Sequence, residues 1–297
     1  MAASDQGGNE VFPGLPVPQT EAGRAGLTAL IEQPRRSLIG VDFDGTLAPI
    51  VADPATARAE VAATAELARL ARMGGTVAII TGRPAAEAAE FADLRAAPGV
   101  IVLGHYGRER WEDGSLSTPA PPPGLETARA ELPGLLAGAG ADSGTFVEYK
   151  RQAVAVHTRR AAQPEAELEL LRAPLARLAD RTGLAVEPGR LVIELRPPGS
   201  NKGMAIRELA AQRSPAAIMF CGDDLGDLPA FAAVRELRAE GTPGLAVCSG
   251  SAEVPELASE ADLVVDGPAG VIRLLAGLAD AFAAQGGEDG SAPDQGQ

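Results

Sequence analysis

Six short runs of almost unbroken apolar residues set the architecture: SLIGVDF (37–43), TVAII (76–80), GVIVLG (99–104), AAIMFC (216–221), GLAVC (244–248) and DLVVD (262–266). Runs this short and this uniformly apolar are strands buried on both faces, which is the condition of a parallel sheet under helices. The intervening segments 56–73, 84–96, 202–212, 226–239 and 269–284 have the Ala/Leu/Glu/Arg content of helices. Strand and helix in alternation describe an α/β fold with a doubly wound, Rossmann-like parallel sheet. The middle of the chain follows another rule. FVEYKRQAVAVHTR (146–159) and LVIELRP (191–197) alternate apolar and polar residues at period two, as half-exposed antiparallel strands do, and a helical segment lies between them. The expected organisation is a core formed by 21–110 and 198–284, a smaller α/β cap inserted at 111–197, and disordered tails at 1–20 and 285–297. A cap leaving the sheet at the C-terminal ends of its strands would roof a site there.

Charge narrows the partners. Lys and Arg total 26 against 40 Asp and Glu, a net charge of −14, and no basic run exceeds two residues, so nucleic acid is not expected as a partner. The first residues lack a basic stretch followed by an apolar one, and no 18 consecutive apolar residues occur, so a soluble, cytoplasmic protein with no membrane partner is expected. Cys221 and Cys248 each close an apolar run and read as buried thiols. Of the 26 cationic residues only Lys150 and Lys202 are lysines. A chain that otherwise writes Arg has either left two lysines by chance or placed a compact point charge where a guanidinium fork would not fit.

The acidic residues are placed at strand ends. Asp42-Phe43-Asp44-Gly45-Thr46 closes the first run, and two carboxylates so close repel unless a cation lies between them. Alone, the tetrapeptide Asp42-Phe43-Asp44-Gly45 reads as a surface turn or a fragment of a calcium loop. Gly222-Asp223-Asp224, with Asp227 beyond, closes the AAIMFC run at what would be the same sheet edge. Hard carboxylate oxygens in that number suit Mg²⁺. Thr81-Gly82-Arg83 ends the second run, and Asn201-Lys202-Gly203 opens a helix about twenty residues before the acidic cluster.

With these four motifs in this order, residues 37 to 280 resemble the haloacid dehalogenase superfamily of phosphotransferases. The resemblance implies Asp42 as nucleophile, Asp44 as general acid and then base, Thr81 on the phosphoryl oxygens, and Lys202 neutralising the phosphate. It implies Mg²⁺ held by Asp42, the backbone carbonyl of Asp44 and Asp223, with Asp227 as ligand or support. The inserted segment is similar to the cap of trehalose-6-phosphate phosphatases, through Glu148-Tyr149-Lys150, His157-Thr158-Arg159 and Glu194-Leu195-Arg196-Pro197. That similarity implies Glu148, Lys150, Arg159 and Glu194 as sugar-hydroxyl partners; without it, Glu148 and Lys150 read as a solvated strand face with a cross-strand ion pair. Gly82, Arg83 and Gly107 are expected to touch substrate, with a helix cap as the alternative for Arg83. His105 is open between a loop position facing the phosphate and a structural histidine. Thr158 and Leu228 depart from the family pattern, which has an aromatic and an acidic residue there.

The expectation is Mg²⁺-dependent hydrolysis of a sugar phosphate, trehalose 6-phosphate, with a trehalose-6-phosphate synthase as pathway neighbour. Sucrose phosphate, a glycosyl- or mannosyl-phosphoglycerate and hexose phosphates are the alternative substrates. A non-catalytic phosphosugar-binding protein is the alternative from another class, and it would need neither a nucleophile nor an acid two residues away.

Overall fold

All six apolar runs become strands of one sheet, because a segment buried on both faces can satisfy its backbone N–H and C=O groups only against another strand. The computed structural model describes residues 12, 14–51, 53–250 and 255–288. In chain order, α1 (Glu21–Glu32) leads into β1 (Ser37–Val41), α2 (Val61–Arg72), β2 (Thr76–Ile80), α3 (Ala85–Phe91) and β3 (Val100–Gly104). A hairpin of β4 (Glu109–Glu112) and β5 (Ser115–Ser117) precedes the inserted unit. That unit comprises α4 (Pro123–Ala139), β6 (Phe146–Tyr149), β7 (Val154–His157), α5 (Pro164–Thr182), β8 (Ala185–Gly189) and β9 (Val192–Arg196). The core then resumes as α6 (Lys202–Arg213), β10 (Ala217–Gly222), α7 (Leu228–Ala239), β11 (Gly244–Gly250), α8 (Pro255–Glu260), β12 (Leu263–Asp266) and α9 (Gly267–Glu288).

The core sheet runs β12-β11-β10-β1-β2-β3-β4-β5, parallel from β12 to β3. From β1 the chain winds outward through β2 and β3; from β10 it winds the other way. The point where winding reverses lies between β1 and β10, where Val41 is in register with Cys221 and the Asp42 N–H donates to the Cys221 carbonyl at 2.9 Å. Both acidic motifs therefore leave the sheet side by side at its C-terminal edge.

Apolar side chains cover both faces. Ile39, Ile79, Leu67, Leu274 and Phe282 pack on one, and Leu38, Ile80, Ile206, Phe220 and Phe231 on the other. Cys221 belongs to the first cluster and Cys248 to the second, so the two buried thiols point to opposite faces. In α9 the stretch Gly267–Gln285 is long and apolar enough to cross a membrane, but Val271, Leu274, Leu275, Leu278 and Phe282 are buried in the core, and Asp280 pairs with Arg69 at 2.5 Å.

Several boundaries differ from those expected. Residues 111–117, assigned to the cap, extend the core sheet, because Trp111 and Arg110 pair with Val102 and Leu103 of β3. Part of the expected N-terminal tail is ordered: Leu15 is buried, and the Thr20 hydroxyl caps α1 by accepting the Gly23 N–H at 2.9 Å. At the other end α9 runs through Glu288, and the remainder of both expected tails lies outside the described residues. Two cap elements gave no clear pattern in sequence. α4 contains Pro133 and three glycines, poor helix formers, and is held by burial of Leu125, Ala128 and Leu132. β8 ends in Pro188-Gly189.

The cap is a four-stranded antiparallel sheet, β6-β7-β9-β8. Residues directly opposite share a face, so Glu148, Ala155 and Glu194 form one row. Val147, Val156, Ile193 and Leu195 point the other way, onto α4 and α5. The open face, carrying Phe146, Glu148, His157, Glu194 and Arg196, looks down on the core.

Candidate active site

Asp42 follows β1 and is 5% exposed; its carboxylate lies 2.9 Å from the Lys202 ammonium. Lys202 sits in the first turn of α6, whose start is fixed by Asn201 accepting the Met204 N–H at 2.8 Å. The same ammonium donates to Asp227 at 2.7 Å. The other Asp227 oxygen accepts the N–H groups of Asp223 and Asp224 at 3.0 and 3.2 Å, so this buried carboxylate is occupied on both sides. Asp223 receives the Thr46 hydroxyl at 3.4 Å. Gly45 has φ +75°, and a Cβ there would stand 1.9 Å from an Asp223 oxygen, so the DxDGT turn admits no side chain at that position.

One oxygen from each of Asp42, Asp223 and Asp227 lies within 4.8 Å of the others. Burial, and then the neighbouring acids against the pull of Lys202, push the Asp42 carboxyl well above its usual range. Asp223 is pushed up to about 7, by burial first and then by Asp227 and Asp224. Burial opposes the charge on Lys202, but Asp227 and Asp42 outweigh it and hold the ammonium protonated. Three buried carboxylates around one ammonium leave unbalanced negative charge in a small space. A divalent cation with oxygen preference fits that donor set.

The Asp44 carboxylate does not join this cluster. It lies in the fork of Arg83, which also donates to Glu87 and to the Pro54 carbonyl, each at 2.9 Å. Thr81, buried at the end of β2, donates its backbone N–H to Leu103 and accepts the Arg83 N–H on its hydroxyl at 3.2 Å. A Cβ on Gly82 would lie 2.6 Å from the Tyr106 hydroxyl, so the glycine allows that ring to approach. Gly107 packs against Ala205 of α6, and its neighbour Tyr106 lines the cleft. Arg196 of the cap lies over the Tyr106 ring, 4.0 Å from its centre.

Above the acids, a cleft of about 540 Å³ reaches the cap, where Glu148, Lys150, His157 and Arg159 line it. Glu148 pairs with His157 at 2.9 Å, and this hydrogen bond lowers its carboxyl below the usual range against the effect of burial. Phe146 stacks on the His157 ring. Lys150 donates to Glu194 at 2.5 Å; burial works against its charge, and Glu194 with Glu148 more than restores it. Glu194 itself is 7% exposed and lines a smaller cavity next to the cleft. One cleft thus gathers Asp42, Asp44, Thr81, Gly82, Arg83, Lys202 and Asp223 below and Glu148, Lys150 and Arg159 above. Tyr106 and His157 were not singled out as site residues from the sequence, although both belong to the residue types rarest in this chain.

A family model described as trehalose-phosphatase matches residues 40–269. A trehalose-phosphate phosphatase of Mycobacterium marinum is 35% identical over 262 residues, covering 84% of this chain and 63% of that protein. This chain therefore spans less than two thirds of that relative's length. A protein of Sinorhizobium fredii described as a probable trehalose-phosphate phosphatase is 31% identical over 204 residues, 66% of this chain and 73% of its own. The crystal structure of trehalose-6-phosphate phosphatase from Aspergillus fumigatus aligns with a TM-score of 0.64 at 26% identity, covering 89% of this chain and 99% of that one.

Proposed function

The chain belongs to the trehalose-phosphatase family, and from that membership we propose that it hydrolyses trehalose 6-phosphate to trehalose and phosphate through a phosphorylated Asp42. The observation that carries the reading is the single cleft joining the Asp42–Lys202 pair to the polar face of the cap. A phosphoryl group seated on Lys202 and Thr81 would leave its sugar pointing toward Glu148, Lys150 and Arg159.

In the first step an Asp42 oxygen donates an electron pair to phosphorus while the phosphorus–sugar oxygen bond breaks. Asp44, once it exchanges Arg83 for the substrate and takes up a proton from solvent, gives that proton to the departing sugar oxygen. In the second step Asp44 takes a proton from water, whose oxygen attacks phosphorus and frees Asp42. Lys202 holds Asp42 in line and offsets charge on the phosphoryl oxygens. Asp42 and Asp223 are the residues suited to hold Mg²⁺, with Asp227 keeping Lys202 and the 223–224 backbone in place. When bound, the ion offsets the negative charge of the acids and the phosphate.

In this reading the chain completes trehalose synthesis in the cytoplasm, supplied by a trehalose-6-phosphate synthase. The test is phosphate release from a panel of trehalose 6-phosphate, sucrose 6-phosphate, glucosyl-phosphoglycerate and glucose 6-phosphate, with Mg²⁺ and with EDTA. Preference for the trehalose ester and loss in EDTA are expected. Equal or better turnover of another sugar phosphate would reassign the substrate, and no release from any would favour a binding protein.

A further inference from the structure

Behind the wall of the main cleft, between cap and core, lies a second cavity of about 10 Å³. His105, Tyr106 and Arg108 line it from the core, and Gln152, Glu194 and Arg196 from the cap. Among the described residues, six buried polar atoms of this lining have no hydrogen-bond partner in the protein: both ring nitrogens of His105, Arg108 Nε, Gln152 Oε1, Glu194 Oε1 and Arg196 Nη1. His105, Gln152, Glu194 and Arg196 are each less than one tenth exposed. Leaving such groups unpaired is unfavourable, and this many in one place call for a shared partner.

The chemistry of the lining identifies that partner. Two guanidinium N–H groups would repel a cation, and a carboxylate with an amide oxygen would repel an anion. A neutral imidazole supplies one donor and one acceptor. Only a ligand that both donates and accepts can pair with both kinds of group, and the volume is that of a single water molecule, which can join up to four of these atoms.

The backbone under the cavity is held in place for a purpose other than its own comfort. His105 and Tyr106 are consecutive non-glycine residues in the left-handed region, at φ 46° and 58°. The His105 N–H donates to the Arg83 carbonyl and the Tyr106 N–H to the Thr81 carbonyl, each at 2.9 Å, so the strained loop is tied to the residues lining the phosphate end. On the cap side, one Glu194 oxygen is buried without a hydrogen-bond partner and the other accepts from Lys150.

We propose that this cavity holds one ordered water that joins His105 of the core to Glu194 of the cap, making His105 a positioning residue for Lys150 at the sugar end of the cleft. The proposal rests on the sugar-phosphate reading for the role of Lys150. Removing the imidazole leaves Glu194 short of one partner and frees it to move, carrying Lys150 with it.

The test compares His105→Leu and His105→Asn in the full chain, with trehalose 6-phosphate and p-nitrophenyl phosphate as substrates, alongside a high-resolution crystal structure of the wild type. The leucine variant is expected to raise KM for the sugar phosphate about tenfold, the worth of one hydrogen bond to a charged group. Its kcat on p-nitrophenyl phosphate should stay within about twofold. Asparagine, which offers a donor and an acceptor, should restore most of the KM, and the crystal should show a water within hydrogen-bond distance of His105 and Glu194. An unchanged KM for leucine, equal defects in both variants, equal losses on both substrates, or a dry cavity would overturn the proposal. Wild type active on p-nitrophenyl phosphate but inert toward trehalose 6-phosphate would instead sink the substrate reading, leaving the water to be decided by the crystal.

Discussion

Arg83 holds both carboxylate oxygens of Asp44, its Nε 2.7 Å from one and its Nη2 2.7 Å from the other. Asp44 is the residue assigned to protonate the leaving sugar oxygen, so the fork holds it in the wall of the cleft with both oxygens occupied. A two-point contact of this kind needs the planar guanidinium. Arg83→Ala and Arg83→Lys should therefore both lower kcat/KM on trehalose 6-phosphate by about tenfold or more, the lysine recovering little. Steady-state kinetics decides it, and a lysine variant with wild-type turnover would remove the fork from the account.

The two lysines should separate by substrate. Lys202 touches Asp42 and Asp227, so Lys202→Arg displaces the nucleophile and should cut activity on every phosphate ester by more than about tenfold. Lys150 is in the cap, paired with Glu194, and Lys150→Arg should impair the sugar substrate while sparing p-nitrophenyl phosphate. Parallel losses for the two variants would contradict the division of the cleft into a phosphate end and a sugar end.

Gly45→Ala places a methyl group on Asp223 and a side chain at positive φ. The backbone conformation alone costs roughly 1–2 kcal/mol, and the clash displaces an acid of the cluster. Denaturant unfolding should show lower stability, and phosphatase assays a near-complete loss. A fully active variant would mean that Asp223 need not lie where it does.

His105 gives a signed pH dependence. Burial, then Lys150 and Arg108 against the pull of Glu148, push its imidazole down to about 4. Unfolded, it titrates near 6.5. Between those values the unfolded chain binds a proton that the folded one refuses, so this contribution is whole above about pH 6.5 and weakens by about 3 kcal/mol as pH falls to 4. The raised carboxyls of Asp42 and Asp223 act in the opposite direction but are common to wild type and His105→Asn. Relative to wild type, the variant should gain stability between pH 7 and pH 4.5 in urea midpoints; a pH-independent difference would show that His105 is not held neutral.

What could be read from the residues and what could not divides by distance along the chain. Asp42-Phe43-Asp44, Thr81-Gly82-Arg83 and Gly222-Asp223-Asp224 each follow an apolar run directly, so both the strand and the acids or hydroxyl at its end were visible locally. The Asp44–Arg83 fork joins residues 39 apart, and Lys150 meets Glu194 across 44, contacts that depend on strand order and rotamer. Glu194 alternates correctly onto the open face of the cap, yet the core loop at His105 and Tyr106 closes over it. The hairpin residues 111–117 looked like cap because they follow the third apolar run, but the backbone of 109–111 finds partners on β3.

The central claim is that Asp42 attacks phosphorus, and Asp42→Asn tests it most directly. The variant, checked to be folded by circular dichroism, is assayed for phosphate release from trehalose 6-phosphate with Mg²⁺ beside the wild type. The account predicts readily measured release by the wild type and less than about one hundredth of that rate by the variant, since the amide is a far weaker nucleophile. Release by the variant above that level would contradict covalent catalysis at Asp42.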